Sequence, residues 1–245
     1  MITSASNPKI KQIKKLQQKK YRHKEQRFLV EGPHLVEEAI RADRVETLLQ
    51  SESAKQLAIE TAVESLLVSD DVMKAISATK TSQGWMAICK LPEDSLPTDG
   101  NLLFIDGVQD PGNLGTIIRT AEAAAVTAIM ISEDTVDPYN DKVIRSTQGA
   151  IFHIPIVRVD LREQIIAQQQ AGKVIIGTAM EGHDYRKLTM ESRDFGIIVG
   201  NEGAGVSKEL LALTDENVTI PIVGQSESLN VAVATAILIY QWSNL

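Results

Sequence analysis

Short apolar runs alternate with amphipathic helical patterns along nearly the whole chain, and few folds accept that alternation. In the leading part "RFLVEG", "VETLLQ", "SLLVS" and "GWMAICKL" read as strands. Between them "PHLVEEAIRA", "ESAKQLAIETA" and "DDVMKAIS" read as helices, with Pro33 in a first turn, where its missing N–H costs nothing. From Asn101 the alternation resumes with "NLLFID", "DPGNLGTIIRTAEAA", "VTAIMIS", "KVIRSTQGA", "FHIPIV" and "LREQIIAQQQAG". It continues through "KVIIGTAM", "FGIIVGNEG", "SKELLALT", "VTIPI" and "LNVAVATAILIYQW". The pattern predicts α/β layers on mainly parallel sheets. "LPEDSLPTDGN" (Leu91–Asn101) concentrates Pro, Gly, Asp and Ser and is the best linker. It separates a domain over residues 1–93 from one over residues 101–245.

Several function classes fall away on composition. One cysteine, Cys89, and four histidines leave no disulfide framework and make a structural zinc site improbable. Cys89 sits in an apolar run and reads as a small buried residue. No apolar run reaches the roughly 18 residues that span a bilayer, and no signal-peptide pattern opens the chain, so a cytoplasmic protein is expected. The net charge of −7 argues at first against a nucleic-acid partner. Its distribution argues otherwise. Residues 1–30 carry nine Lys/Arg against the single acid Glu25, about +8, which leaves about −15 on the remainder. A basic arm on an acidic body can hold a phosphate backbone locally.

Three strand–turn–helix junctions are loaded with Gly, Asn or Ser, and such turns gather at the carboxyl ends of strands, where α/β proteins bind ligands. The first, "GVQDPGNL", spaces Gly107 and Gly112 as a phosphate-binding loop would, but Asn113 and Leu114 stand where Lys and Ser/Thr are required. Triphosphate chemistry is thereby unsupported. The second, "GNEGAG" (Gly200–Gly205), reverses the dinucleotide fingerprint, so a nicotinamide or flavin site is unsupported too. The third, "IPIVGQSESLNVAVATAI", crowds Ser226, Ser228 and Asn230 at a helix start, where capping explains one or two of them. On the first helix, 100° per residue puts Ile117, Ile118 and Ala121 on one stripe with Leu114 and turns Arg119 away from it.

Together, "DGVQDPGNLGTIIRTAEA", "IIVGNEGAGVSKEL" and "IPIVGQSESLNVAVATA" resemble, in order and spacing, the three motifs of the SpoU-type, TrmH-like RNA 2′-O-methyltransferases of the SPOUT superfamily. The similarity spans about Asn101–Trp242. The leading half, with "ITSASNPKIKQIKKL" and "RFLVEGPHLVEEA", is similar to an L30e/L7Ae-like substrate-binding extension. The resemblance implies an α/β, parallel-sheet catalytic domain with a trefoil knot, plus a smaller N-terminal α/β domain. It implies S-adenosylmethionine as cofactor, no metal, RNA as partner, ribosomal RNA foremost, with residues 1–30 contributing, and a homodimer.

Carried over motif by motif, Asn113, Arg119, Glu202, Ser228 and Asn230 are the implied catalytic residues. Backbone groups at Thr178, Gly200, Ile220 and Leu229 are the implied cofactor contacts, and Gly200 is expected to leave room for adenine. A guanidinium stays protonated, so Arg119 suits holding a phosphate and stabilising alkoxide charge better than abstracting a proton. Two positions depart from the family pattern, Ala232 where many relatives have Ser and Ala125 near a frequent Gly. Two rivals remain: a knotted methyltransferase acting on a base nitrogen, in which Glu202 would outweigh Arg119, and a non-catalytic RNA-binding module.

Overall fold

The computed structural model describes residues 1–63, 65–93, 97, 99–190 and 194–243. The expected linker over Leu91–Asn101 lies partly outside them, at 94–96 and 98. The contacts gather into two compact units, one of Met1–Glu93 with Tyr139–His153, the other of Asp94–Pro138 with Ile154–Leu245.

The basic stretch is folded. Helix α1 (Pro8–Lys15) starts where the Asn7 side chain accepts the Lys9 N–H at 2.9 Å, and Ile10, Ile13 and Leu16 turn its apolar side into a core shared with Leu49, Val72 and Ile76. Helix α2 (Lys19–Glu25) follows and ends at Gln26 in the left-handed region (φ 53°). Seven lysines, at 9, 11, 14, 15, 19, 20 and 24, stay exposed, and among the described residues none of them forms an ion pair. Arg22 instead is buried and donates to the carbonyls of Leu16 (3.0 Å) and Gln17 (2.8 Å).

Strand β1 (Arg27–Glu31), helix α3 (Pro33–Arg41), strands β2 (Val45–Ser51) and β3 (Ser65–Val68), helix α4 (Asp70–Ile76) and strand β4 (Trp85–Lys90) follow. The sheet order is β1-β4-β2-β3, with β4 antiparallel to both β1 and β2 and only β2–β3 parallel. The sheet is therefore mixed, against the mainly parallel expectation. The helix expected over "ESAKQLAIETA" is absent. Groups a helix would pair internally are spent elsewhere: the Lys55 carbonyl accepts Trp85 Nε1–H at 2.6 Å, and the Ala58 N–H donates to Glu37 Oε1 at 2.7 Å. The segment thus forms an irregular crossover between β2 and β3.

The second unit contains β5 (Leu102–Asp106), α5 (Pro111–Ala123) and β6 (Ala128–Ile131). The next stretch, Tyr139–His153, belongs by its contacts to the first unit and carries α6 (Asp141–Thr147). There the Phe28 ring packs 4.8 Å from Tyr139 and 6.1 Å from Phe152, and His153 Nε2 lies 3.2 Å from Glu38 Oε2. The chain returns to the second unit with β7 (Ile156–Arg158), α7 (Leu161–Gln170), β8 (Val174–Asp184), β9 (Phe195–Gly200), α8 (Lys208–Leu211), β10 (Glu216–Thr219) and α9 (Val231–Trp242).

All six strands of that sheet run parallel in the order β10-β8-β9-β5-β6-β7. Strands β6 and β9 are buried throughout, as an all-parallel sheet covered on both faces requires. Leu102, Phe104, Met130 and Ile198 meet Leu161, Ile165 and Leu210 from α7 and α8, whereas α9 packs against α5 and β9. This layering leaves the turns after β5, β9 and β10 at one edge of the sheet.

Candidate active site at the carboxyl edge of the parallel sheet

Asp110 caps α5 by accepting the Asn113 N–H at 2.8 Å, and Pro111 occupies the first turn. Leu114, Ile117, Ile118 and Ala121 are buried, and Arg119 is exposed, as the wheel requires. Among the described residues Arg119 has no hydrogen bond or ion pair.

Glu202 lies in the turn after β9 and gathers the first junction onto itself. Its Oε1 accepts Asp110 N–H and Asn113 Nδ2–H, each at 3.0 Å, and its Oε2 accepts Gln109 N–H at 3.1 Å. The carboxylate fixes the Asn113 amide with its oxygen outward, and that oxygen accepts Asn230 Nδ2–H at 2.8 Å. Asn230 must then aim its own oxygen at the start of α9, where it accepts Ala232 N–H at 2.9 Å. Glu202, Asn113 and Asn230 therefore form one directional relay across the three junctions. Partial burial pushes the Glu202 carboxyl up, but the bonds from Asn113, Asp110 and Gln109 outweigh it and hold the group below the usual carboxylate range. A depressed carboxyl contributes its stability above its ordinary value of 4.5, so the relay loosens as the pH falls below that.

Not every predicted residue joins the relay. Ser228 and Leu229 lie in the exposed stretch after β10, and Ser228 has no hydrogen-bond partner among the described residues. Thr178 lies where β8 leaves its neighbours. The β8–β9 ladder ends at Gly177, and the β8–β10 register jumps from Gly177 to His183, so Thr178–Gly182 lie outside both. Among the described residues, Ile220–Leu229 form no backbone–backbone hydrogen bond. Apart from the Met180 carbonyl, which accepts Thr219 Oγ1–H at 3.2 Å, these two stretches hold backbone donors and acceptors outside any ladder, which is the chemistry that reads an adenine edge. The residues present fit S-adenosylmethionine on that ground.

Gly200 is required as glycine by the turn itself. A Cβ there would lie 2.1 Å from Gly205 C and Val206 N, so the turn's own backbone excludes any side chain at this position. The hub of that turn is Asn201, which the sequence reading passed over. It pairs with Gly205 through both backbone groups (3.0 and 2.9 Å), accepts Gly203 N–H (2.9 Å) and Ala204 N–H (3.0 Å), and donates to the Gly107 carbonyl (2.8 Å). An Asn inside a Gly-rich turn is the signal that could have marked it. A groove of about 550 Å³ also opens beside β5, β6 and β7, but none of the nine predicted residues lines it.

These features place the chain among α/β enzymes that bind at the carboxyl edge of a parallel sheet. The SpoU rRNA methylase family matches residues 100–240, and the MRM3-like substrate binding domain matches residues 7–87. The chain belongs to the SpoU rRNA methylase family. It is 46% identical over 242 residues to the 23S rRNA (guanosine(2553)-2′-O)-methyltransferase RlmP of Bacillus subtilis (strain 168), covering 98% of this chain and 97% of that protein. The S-adenosylmethionine-bound rRNA methyltransferase of Sinorhizobium meliloti superposes with a TM-score of 0.86 at 34% identity, over 98% of this chain and 95% of that one. The SpoU methyltransferase AviRb of Streptomyces viridochromogenes, in complex with the same cofactor, gives 0.85 at 26% identity, over 96% of each chain.

Proposed function

We propose that this protein transfers a methyl group from S-adenosylmethionine to a ribose 2′-hydroxyl of ribosomal RNA, in the cytoplasm. The observation that carries the reading is the relay from Glu202 through Asn113 to Asn230, with the exposed cation Arg119 on the same helix as Asn113. Bound S-adenosylmethionine supplies an electrophilic methyl on a sulfonium. Thr178, Gly200, Ile220 and Leu229 would hold it through backbone groups, and Ser228 stands in the same exposed stretch as Leu229. Arg119 holds the RNA phosphate and stabilises negative charge developing on the 2′-oxygen. Asn113 and Asn230, fixed by Glu202, orient the ribose. Glu202 is engaged by three N–H donors, so it serves better as an anchor than as the proton acceptor that base-nitrogen methylation requires.

The reading includes a second copy of the chain. Val223 is 99% exposed, Met180 73%, Val233 49% and Tyr240 48%, all apolar or aromatic side chains of the catalytic unit. A homodimer would remove them from water. Mapping 2′-O-methyl positions in ribosomal RNA from cells with and without the protein tests the activity. Loss of one modified ribose supports it, and an unchanged map sinks it.

The exposed lysines of α1 and α2 supply the phosphate contact in this reading. Deleting residues 1–30 cannot test that, because it strips Ile10, Ile13 and Leu16 from the core, each worth about 1.5–3 kcal/mol of burial. Changing Lys14, Lys19, Lys20 and Lys24 to glutamine leaves those apolar contacts alone. The variant should bind RNA more weakly, with a salt slope flatter by about 0.7 for each phosphate contact removed. A slope equal to that of the unmodified protein would locate the phosphate contact elsewhere.

A further inference from the structure

Arg158 ends β7 partly buried, and among the described residues no carboxylate pairs with it. Its guanidinium is spent on backbone instead. Nη1 donates to the carbonyls of Ser132 and Glu133, the latter at 2.6 Å, and Nη2 donates to the Thr135 carbonyl at 3.0 Å. Converging carbonyl oxygens repel one another, and a cation among them replaces that repulsion with charge-assisted bonds. Arg158 therefore fixes the turn that follows β6.

That turn in turn holds the start of the first junction. Ser132 and Thr135 are buried. The Gly107 N–H donates to Ser132 Oγ at 2.9 Å and to Thr135 Oγ1 at 3.2 Å, where the chain bends through φ 71°. Thr135 Oγ1–H donates to the Ile105 carbonyl at 3.1 Å, which leaves the Ser132 hydroxyl to donate to Thr135. The Val136 N–H donates to the Val108 carbonyl at 2.9 Å. Gln109 is held from both ends. Its Nε2–H donates to the Asp134 carbonyl inside the turn, and its backbone N–H donates to Glu202 Oε2 at 3.1 Å. One continuous set of bonds thus runs from Arg158 through the turn to the carboxylate that orders Asn113 and Asn230.

From this geometry we propose that Arg158 is a positioning residue for methyl transfer, acting through Gln109 on the relay of Glu202, Asn113 and Asn230. The proposal rests on the methyl-transfer reading above. Arg158 bonds only the carbonyls of the turn, so its effect on the chemistry is indirect. With the turn held, the Asp134 carbonyl keeps Gln109 in place and presents its N–H to Glu202. With the turn loosened, Glu202 loses that donor first, and the orientation of both asparagine amides follows the carboxylate. A guanidinium suits the task because it is planar, always charged and forked, so two nitrogens span three oxygens.

The test uses the full-length protein and transcribed ribosomal RNA, well below the melting temperature of every variant. Arg158→Ala should lower single-turnover transfer by about 10- to 100-fold, the scale on which misplaced reacting groups lose rate. Affinities for RNA and for S-adenosylmethionine should stay within about twofold, the split that marks an interaction felt only in the transition state. Gln109→Ala should show the same loss, and the double variant should lose no more than the worse single one, since both cut one chain of bonds. The side-chain amide signals of Asn113 and Asn230, followed by NMR, should move in Arg158→Ala. They should stay in place in Arg162→Ala, whose exposed pair with Glu209 lines the same groove as Arg158 without bonding the turn. Arg158→Lys keeps the stem and the charge and covers the case where alanine disturbs folding. It should show the same pattern, because an ammonium lacks the fork. Unchanged transfer in both Arg158 variants overturns the inference whatever happens to Tm, and so do unmoved amide signals. A double variant whose losses multiply overturns it as well, since Arg158 and Gln109 then act independently. Failure of the methylation reading shows separately, as no transfer by the unmodified protein beside amide signals that still respond to Arg158.

Discussion

Replacing Arg119 by alanine is expected to lower the rate of methyl transfer to RNA by about 100- to 1,000-fold, the cost of removing one donor to a developing oxyanion. The fold and the cofactor should be untouched. Arg119 is exposed on α5, away from the buried stripe of Leu114, Ile117, Ile118 and Ala121, and it bonds nothing else among the described residues. Its removal therefore opens no cavity and orphans no partner. Single-turnover transfer measured beside calorimetric binding of S-adenosylmethionine separates the two effects. The predicted pattern is a large loss in transfer with cofactor affinity within about twofold, because loss of an interaction made only in the transition state lowers kcat. Arg119→Lys should recover little, since an ammonium lacks the planar fork that grips a phosphate. Unchanged turnover in Arg119→Ala would remove this residue from the chemistry.

Gly200→Ala should have the opposite signature, failing in the fold before the chemistry. The added methyl would lie 2.1 Å from Gly205 C and Val206 N, and backbone atoms cannot rotate aside as a side chain can. The cost is about 3 kcal/mol or more, a fall in Tm of roughly 6–12 °C for a chain of this size. The Asn201–Gly205 pairing would break with it, and that turn carries Glu202 into its bonds with Gln109, Asp110 and Asn113. Cofactor affinity should fall because the turn is lost, not because adenine meets a methyl group. Gly203→Ala is the control: its Cβ meets nothing closer than Asn201 Oδ1 at 3.6 Å, and it should melt close to the unmodified protein. A Gly200→Ala protein with unmodified Tm but no cofactor binding would make room for adenine the reason for the glycine.

Much of this was legible in the sequence, for identifiable reasons. The strands of the parallel sheet announce themselves because both faces are covered, so "LLFI" and "GIIV" need no polar alternation. The direction of Arg119 followed from helical geometry alone. Reading failed where distant partners decided local structure. "ESAKQLAIETA" has helical composition, yet Trp85 and Glu37 claim the backbone groups of Lys55 and Ala58. The spacing of Ile10, Ile13 and Leu16 marks a packed helix within the basic segment, but the lysines between them make the same residues read as a solvated arm. Asn201 was hidden by the glycines around it. The membership of Tyr139–His153 was beyond sequence reasoning, because it depends on Phe28 and Glu38, more than a hundred positions away.

That last segment bears on how such a chain can be taken apart or recombined. A cut at the linker does not yield two self-sufficient pieces, since the amino-terminal portion would lose the aromatic and hydrogen-bonding neighbours that Tyr139, Phe152 and His153 provide. A chimaera that exchanges only residues 1–93 between relatives would set a foreign Phe28 and Glu38 against a resident α6. Exchange of specificity therefore requires moving two stretches together, and drift at Phe28 or Glu38 is answerable to positions within the methylase half of the chain.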